Sequence, residues 1–225
     1  MSANTSGAGY GWQASSLNNY LYEMPAANLD GSRDVDFYES ANNRLRFEGR
    51  PPQLVAPFVT ATTYRSPPDR QLELVRAGAG AHEIYTLTDN DSGQVRVFHG
   101  INSLVPENNR GRMKELTTRA LCDIGTPGLM YTYNPEGLVD LVNTSELNQI
   151  DYVYTSSGQL REVVVYEGPA DTENGIVMQK VEYTYYDDYV TFDDDFDREN
   201  TALGSSGDLV QVKTFRRATE DVGNN

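Results

Sequence analysis

Residues 131–139 read YTYNPEGLV, and residues 152–160 read YVYTSSGQL, the same pattern 21 residues further along the chain. Two tyrosines separated by one residue lie on one face of a strand, because side chains alternate with a period of two. The polar residues that follow are turn formers, and the glycine adopts positive φ without steric cost. An aliphatic residue then begins another strand. Each stretch therefore predicts a β-hairpin with its tight turn at the glycine.

The glycine of this pattern recurs along the chain, each time with an apolar side chain two and five residues later. The five glycines are Gly93, Gly111, Gly137, Gly158 and Gly207. These two apolar positions have opposite parity, so a regular strand would send them to opposite faces. Either both faces are partly covered, or a β-bulge beside the turn resets the register. We expect an all-β fold of consecutive antiparallel hairpins, with turns at or beside Gly93, Gly137 and Gly158.

The chain divides into a leader, a repeat domain and a tail. Residues 1–35 are rich in Ser, Asn, Gly and Ala and show no hydrophobic period, so they predict an irregular leader that docks on the sheet. Tyr10, Trp12, Tyr20, Tyr22 and Met24 give it enough apolar surface to dock. The hairpin domain is predicted over residues 36–215, and residues 216–225 are predicted to be a polar tail. Residues 110–121 contain two adjacent threonines and a repeat glycine, which favours a strand over a helix.

Composition excludes several classes of protein. The 225 residues include 33 acidic and 18 basic side chains, a net charge of −15. This charge repels DNA and RNA, because a nucleic-acid binder needs a dense Lys and Arg face. No run approaches the roughly 20 apolar residues of a membrane span. The first residues do not resemble a signal peptide, which indicates either a cytoplasmic protein or a piece of a longer exported chain. The single cysteine, Cys122, predicts a buried thiol that packs as a small hydrophobe.

The repeats resemble those of the RHS/YD-repeat family, whose units run Tyr-Asp-x-x-Gly-Arg/Asn-Leu about twenty residues apart. Residues 133–139 and 154–160 match this pattern in register. Residues 38–45 look like a further copy, with Asn42 in the position of the glycine. The aspartate that follows the tyrosine in the family is replaced here by Glu39, Asn134 and Thr155.

In that family, consecutive hairpins join edge to edge into a long, curved sheet that spirals into a hollow shell. The resemblance implies a non-catalytic structural or encapsulating module of a bacterial protein, extracellular or at the cell surface if it belongs to an exported chain. Its partners would be further YD repeats or another subunit at the open sheet edge, and an enclosed cargo polypeptide. One alternative is a surface module that binds a ligand or carbohydrate, and another is a small hydrolase.

An acidic run late in the sequence is a candidate calcium site. Its alternating carboxylates belong to Asp193, Asp195, Asp197 and Glu199. Hard oxygen ligands at alternate positions are typical of the first part of a calcium loop. Arg198 stands where such a loop needs glycine, so a solvated, charge-rich insertion loop is the alternative. The turn at residues 89–91 has two further aspartates and favours calcium more weakly.

Other site chemistry has less support. His82 and His99 flank the hairpin at Gly93 and could, with Glu83 or Cys122, suggest zinc. The sequence has neither the HExxH nor the CxxC spacing of common zinc sites, so two ordinary histidines are predicted. It also lacks the Gly-x-Ser-x-Gly elbow of hydrolases, and nothing holds two carboxylates at a defined separation. We therefore predict no catalytic residue and no cofactor other than the possible calcium.

Overall fold

The computed structural model describes residues 19–40, 43–51, 53–55, 59–144, 148–168, 176–185 and 209–217. Within these ranges the chain forms fifteen strands, one short α-helix and one 3-10 turn. Every strand pairing recorded among them is antiparallel. The predicted all-β fold of antiparallel hairpins is confirmed. The described residues divide into two compact units, one within residues 14–145 and one that holds residues 148–217.

The first unit contains strands β1 to β11. A three-stranded sheet is formed by β1 (Tyr20–Ala27), β2 (Arg33–Ser40) and β3 (Asn43–Phe47). Eight further strands lie side by side in sequence order: β4 (Gln53–Val55), β5 (Val59–Tyr64), β6 (Leu72–Ala77), β7 (Ile84–Asp89), β8 (Gln94–His99), β9 (Met113–Thr118), β10 (Leu129–Tyr133) and β11 (Val139–Asn143). Helix α1 (Arg119–Asp123) follows β9. This order is the one that consecutive hairpins produce.

The second unit is simpler. Its described strands are β12 (Gln149–Tyr154), β13 (Leu160–Glu167), β14 (Ile176–Tyr185) and β15 (Leu209–Arg216), side by side in that order. Strand β14 is the longest and pairs with both β13 and β15. Most residues of β15 are exposed. On its inner strands, by contrast, Leu160, Val164 and Tyr185 are buried.

The core of the first unit lies between the three-stranded sheet and one face of β6 to β9. The large sheet contributes directly paired side chains that are fully buried, such as Tyr85 opposite Phe98. The small sheet contributes its own buried face: Leu21, Val35, Phe37 and Phe47. The rings of Phe37 and Phe98 meet edge to face at 5.8 Å, an arrangement worth about 0.5–1.5 kcal/mol beyond area burial.

Three of the repeat glycines make the hairpin turns that the sequence predicts. Gly93, Gly137 and Gly158 have φ values of 70°, 76° and 81°, a region that favours glycine. Gly111 has positive φ too, but it ends the long connection from β8 to β9. A Cβ at Gly111 would collide with the carbonyl oxygen of Leu21, so this glycine lets the small sheet approach. Gly207 lies outside the described residues.

In most of the hairpins, a β-bulge brings the two apolar positions of the repeat to the same face of the sheet. Between β10 and β11 the register shifts at Asp140, so that Val139 and Val142 both lie opposite the paired tyrosines. The corresponding shift between β12 and β13 occurs at Arg161, again three residues after the glycine. Strands β9 and β15 are bulged near their starts in the same way.

The hairpin at Gly93 uses the other solution. Strands β7 and β8 pair in a regular register, yet Val95 and Phe98, which have opposite parity, are both buried. Phe98 faces the small sheet through its contact with Phe37, and Val95 is buried on the other face. Both alternatives that the sequence leaves open are therefore realised, in different hairpins.

The leader and the helix differ from the sequence prediction. Residues 20–27 form strand β1, and the boundary predicted at residue 36 falls inside β2. The prediction of an irregular leader is therefore wrong for residues 20–27 and 33–35, because these residues pair into the small sheet. Residues 1–18, with Tyr10 and Trp12, lie outside the described part.

The strand predicted for residues 110–121 ends early. Strand β9 stops at Thr118, whose hydroxyl accepts a hydrogen bond from the Leu121 amide at 3.4 Å and so begins helix α1. Cys122 lies on this single turn and is exposed. The prediction of a buried thiol is wrong, since a five-residue helix has no second turn with which to cover it. Among the described residues, no helix is long and apolar enough to cross a membrane.

Candidate functional site

The junction between the β8–β9 and β10–β11 hairpins centres on Tyr133, the second tyrosine of its repeat. The backbone ladder between β9 and β10 pairs Leu116 with Leu129 and Glu115 with Met130. Beyond that ladder, the Tyr133 hydroxyl donates a hydrogen bond of 2.6 Å to the Met113 carbonyl oxygen. The bulge in β9 separates the two strands at this point, so a side-chain hydroxyl takes the place of a backbone donor.

The junction between the β12–β13 and β14–β15 hairpins has the same construction. The hydroxyl of Tyr185 donates a hydrogen bond of 2.7 Å to the Leu160 carbonyl oxygen. Leu160 follows Gly158 by two residues, as Met113 follows Gly111. Tyr185 is 1% exposed, so both its ring and its hydroxyl are enclosed. We call this bond, from Tyr133 to Met113 and from Tyr185 to Leu160, the tyrosine latch.

The tyrosine latch explains why these positions hold tyrosine instead of phenylalanine. The ring is buried at Tyr185 and half-buried at Tyr133, and in both the hydroxyl donates to a carbonyl beside the bulge. A hydrogen bond of this kind contributes about 1 kcal/mol net, whereas leaving a buried carbonyl unsatisfied costs about 1–3 kcal/mol. At these two junctions the latch therefore fixes the position of one hairpin on the hairpin before it.

Further contacts strengthen the first junction. The side-chain amide of Asn108 donates to the carbonyl oxygens of Tyr133 and Asn134, at 3.3 and 3.1 Å. The Arg112 guanidinium lies 5.8 Å from the centre of the Tyr133 ring, within the range of a cation–π contact. The connection from β8 to β9 therefore holds the next hairpin by both its tyrosine and its turn.

The residue after the second tyrosine closes the turn. The Asn134 side chain accepts a hydrogen bond from the Leu138 amide at 2.9 Å. The Thr155 hydroxyl does the same for the Gln159 amide at 3.1 Å. Asp, Asn and Thr all offer a side-chain oxygen of this reach. The departures from aspartate at these two positions therefore preserve the turn.

The predicted calcium ligands Asp193, Asp195, Asp197 and Glu199 lie outside the described residues, so that site stays a prediction. The weaker acidic turn is described. The Asp89 carboxylate accepts hydrogen bonds from the Asp91 amide, at 3.0 Å, and from the Ser92 hydroxyl, at 2.8 Å. The bonds with Ser92 hold the pKa of Asp89 below its usual range. This carboxylate closes the β7–β8 turn.

The histidines do not assemble a metal site. Among the residues that the structure describes, no group of three or more His, Cys, Asp or Glu side chains could hold a metal ion. Glu83 instead accepts a hydrogen bond of 2.8 Å from Arg76 Nε and one of 3.1 Å from the Ile101 amide. Burial lowers the pKa of His99, and nearby Lys114 lowers it further.

Sequence reasoning found the tyrosine pairs but missed the tyrosine latch. A tyrosine four residues before the glycine was the available signal at Tyr133 and Tyr154, yet its acceptor is a backbone atom on a neighbouring hairpin and has no sequence pattern. The chain matches no protein-family model, and no curated protein and no solved structure matches it.

Proposed function

We propose that this chain is a non-catalytic structural module, a segment of a β-hairpin wall of the kind that RHS/YD-repeat proteins build. The observation that carries the proposal is the tyrosine latch. It recurs at the same repeat positions in both units, from Tyr133 to Met113 and from Tyr185 to Leu160. A wall that grows by adding hairpins needs the same junction each time, because each repeat contacts only its neighbours.

Strand β15, the outermost of the described strands of the second unit, supports the same proposal. Leu209 pairs with Tyr185, and the register shifts at the next residue of β15. Met113 and Leu160, the acceptors of the two latches, hold the same position before the register shifts of β9 and β13. In the wall, the carbonyl oxygen of Leu209 is the acceptor for the tyrosine of the next hairpin. Val212 and Phe215 on this strand are 50% and 48% exposed. An exposed strand edge recruits other strands, here further repeats or another subunit.

The rest of the proposal follows from this architecture. A long sheet of such hairpins curves, since sheets twist and bulges increase the twist, and a closed wall would enclose a cargo polypeptide. The module would then act outside the cell or at its surface, as part of a larger exported protein. The acidic surface, with a net charge of −15, keeps such a wall soluble.

The proposal is tested by extending the wall. A second copy of residues 148–168, the β12–β13 hairpin, is joined after Arg217 in place of the tail. We expect the amide protons of β15 to exchange about tenfold more slowly or better, because their free edge becomes paired. Hydrogen exchange followed by mass spectrometry or NMR measures this directly.

The matched control is the same extension with Tyr154→Phe in the appended copy only. It keeps the strand pattern and removes the hydroxyl that would form the new latch, so protection of β15 should fall most of the way back. If the extension folds but leaves exchange in β15 unchanged, the edge does not accept hairpins and the wall proposal is wrong.

A further inference from the structure

An open cleft in the first unit has no part in the hairpin junctions. It has a volume of about 510 Å³ and lies between the β1–β2 hairpin and strands β5 and β6. Its size falls within the roughly 300–1,000 Å³ of small-molecule sites. The side chains that give it its chemistry are Glu23, Arg33, Arg50, Thr62, Tyr64 and Arg76.

The floor of the cleft is built from one face of β5 and β6. Thr62 pairs directly with Arg76, and Tyr64 lies two residues further on the same strand face. Burial raises the pKa of Tyr64, so its hydroxyl stays a proton donor at neutral pH. The floor therefore offers two hydroxyl groups and a guanidinium within one small area.

Arg76 is held in place from behind. Glu83, 2% exposed at its side chain, forms an ion pair with it, and the remaining Glu83 oxygen is satisfied by the Ile101 amide. The Arg76 side chain is still 38% exposed and lines the cleft. An arginine fixed in this way is pre-organised for an anion, because little side-chain entropy is lost on binding.

The other cations complete a positive cleft. Arg33 lies 3.3 Å from the Glu23 carboxylate, the one acidic side chain of the lining. Arg50 is exposed and has no ion-pair partner among the described carboxylates. With Glu83 behind Arg76, three guanidinium groups meet two carboxylates, and Arg50 supplies the excess positive charge on a protein whose net charge is −15. A concave site of opposite sign to its surroundings concentrates ligands of the complementary charge.

We propose that this cleft binds a small anionic molecule of sugar size, one that carries a carboxylate or a phosphate. The Arg50 guanidinium would hold the anionic group, since arginine binds both anions through paired N–H donors. Arg76 would add the N–H groups that Glu83 does not occupy. The hydroxyls of Thr62 and Tyr64 match the hydroxyl groups of a polyol. A bare inorganic ion would fill only a small part of the volume. This inference does not depend on the hairpin wall.

The test is calorimetric titration of the full chain at low ionic strength with three probes: D-glucuronate, glucose 6-phosphate and glucose. We expect at least one of the two anions to bind about tenfold or more tightly than glucose, and the tighter one identifies the anionic group. Arg50→Gln should weaken that binding about fivefold to tenfold, the loss of one charge-assisted contact. Arg70→Gln, an exposed arginine outside the cleft lining, is the matched control and should leave affinity unchanged.

A second variant addresses Arg76 without leaving Glu83 unpaired. Arg76→Lys keeps a positive charge beside the buried carboxylate but loses the planar pair of donors, so it should fold and bind about fivefold more weakly. If glucose binds as tightly as the anions, or Arg50→Gln and Arg70→Gln have equal effects, the inference is wrong. It is equally overturned if neither anion binds at concentrations up to about 20 mM, the range of the weakest specific sites.

Discussion

The two units of this molecule build the same hairpins in different surroundings. In the first, the small sheet covers strands β6 to β9, and residues such as Phe37 and Leu87 are almost completely buried. In the second, the outer strand β15 is mostly exposed, while Leu160, Val164 and Tyr185 on the inner strands are buried. Yet the turn glycine, the bulge and the tyrosine latch occur in both. The same hairpin geometry therefore occurs in both units.

This difference separates two sources of stability. Each fully buried Val, Leu or Phe contributes about 1.5–3 kcal/mol, and the first unit has a cluster of them between its sheets. A latch contributes about 1 kcal/mol net. The small sheet should therefore determine how stable the first unit is, while the latches determine how its hairpins are placed.

The largest effect should come from Phe37→Ala. The variant empties a buried site against Phe98 and should lower the free energy of unfolding by about 3–5 kcal/mol. Hydrogen exchange resolved by region should show lost protection in β1 to β3 and β6 to β9. We expect strands β12 to β15 to keep theirs.

Val164→Ala is the counterpart in the second unit, where Val164 is 4% exposed in β13. It removes less volume and should destabilise that unit by a smaller amount. If Phe37→Ala lowers protection equally in both units, the covering layer does not act locally, and the contrast between the units fails.

The sequence predicted the hairpins because their signals are local. A tyrosine pair, four turn residues and an aliphatic residue lie within nine consecutive positions at residues 131–139. The sequence could not predict which hairpins are bulged. The opposite parity of the two apolar positions is accommodated either by a bulge or by burial of both faces, and this chain uses both. Asn134 and Thr155 could have been recognised as turn-closing residues, since their side-chain oxygens act within four residues.

The covering sheet and the cleft were beyond sequence reasoning. Phe37 meets Phe98 across 60 intervening positions, and no period in either segment indicates such a partner. The ion pair of Arg76 with Glu83 forms beside the 3-10 turn at Gly80–His82, where the chain reverses without a regular pattern. Local periodicity assigns strands, whereas a second layer depends on which surfaces happen to be complementary.

An intermediate effect is expected for the latches. Tyr133→Phe and Tyr185→Phe each remove one oxygen atom and leave a carbonyl unsatisfied, so each should cost about 1–2 kcal/mol. Urea unfolding followed by circular dichroism measures the loss. Tyr183→Phe, on the same strand as Tyr185 but not a latch residue, should change stability by less than about 0.5 kcal/mol.

The latch variants also sharpen the comparison of the units. Because the latch is built the same way at both junctions, the two costs should agree within about 0.5 kcal/mol despite the different burial around them. A loss at Tyr133 alone would mean that the first junction depends on Asn108 and Arg112 instead, and that the latch is not a general feature of the hairpins.

The smallest effect concerns pH and should touch the first unit alone, since both histidines of the chain, His82 and His99, belong to it. Burial lowers the pKa of His99, and Lys114 lowers it further, whereas the unfolded chain has the ordinary value of about 6.5. As the pH falls below that value, the unfolded chain binds the proton more readily than the folded one, so the free energy of unfolding decreases. The decrease should begin near pH 7 and level off once folded His99 is also protonated.

The lowered pKa values of Asp34 and Asp89 act only in more acidic solution, where carboxylates titrate. Thermal unfolding between about pH 7 and pH 5 should therefore show a slope that His99→Gln removes and that His82→Gln, at an exposed position, retains. A slope that survives His99→Gln would mean that another group of the first unit binds the proton.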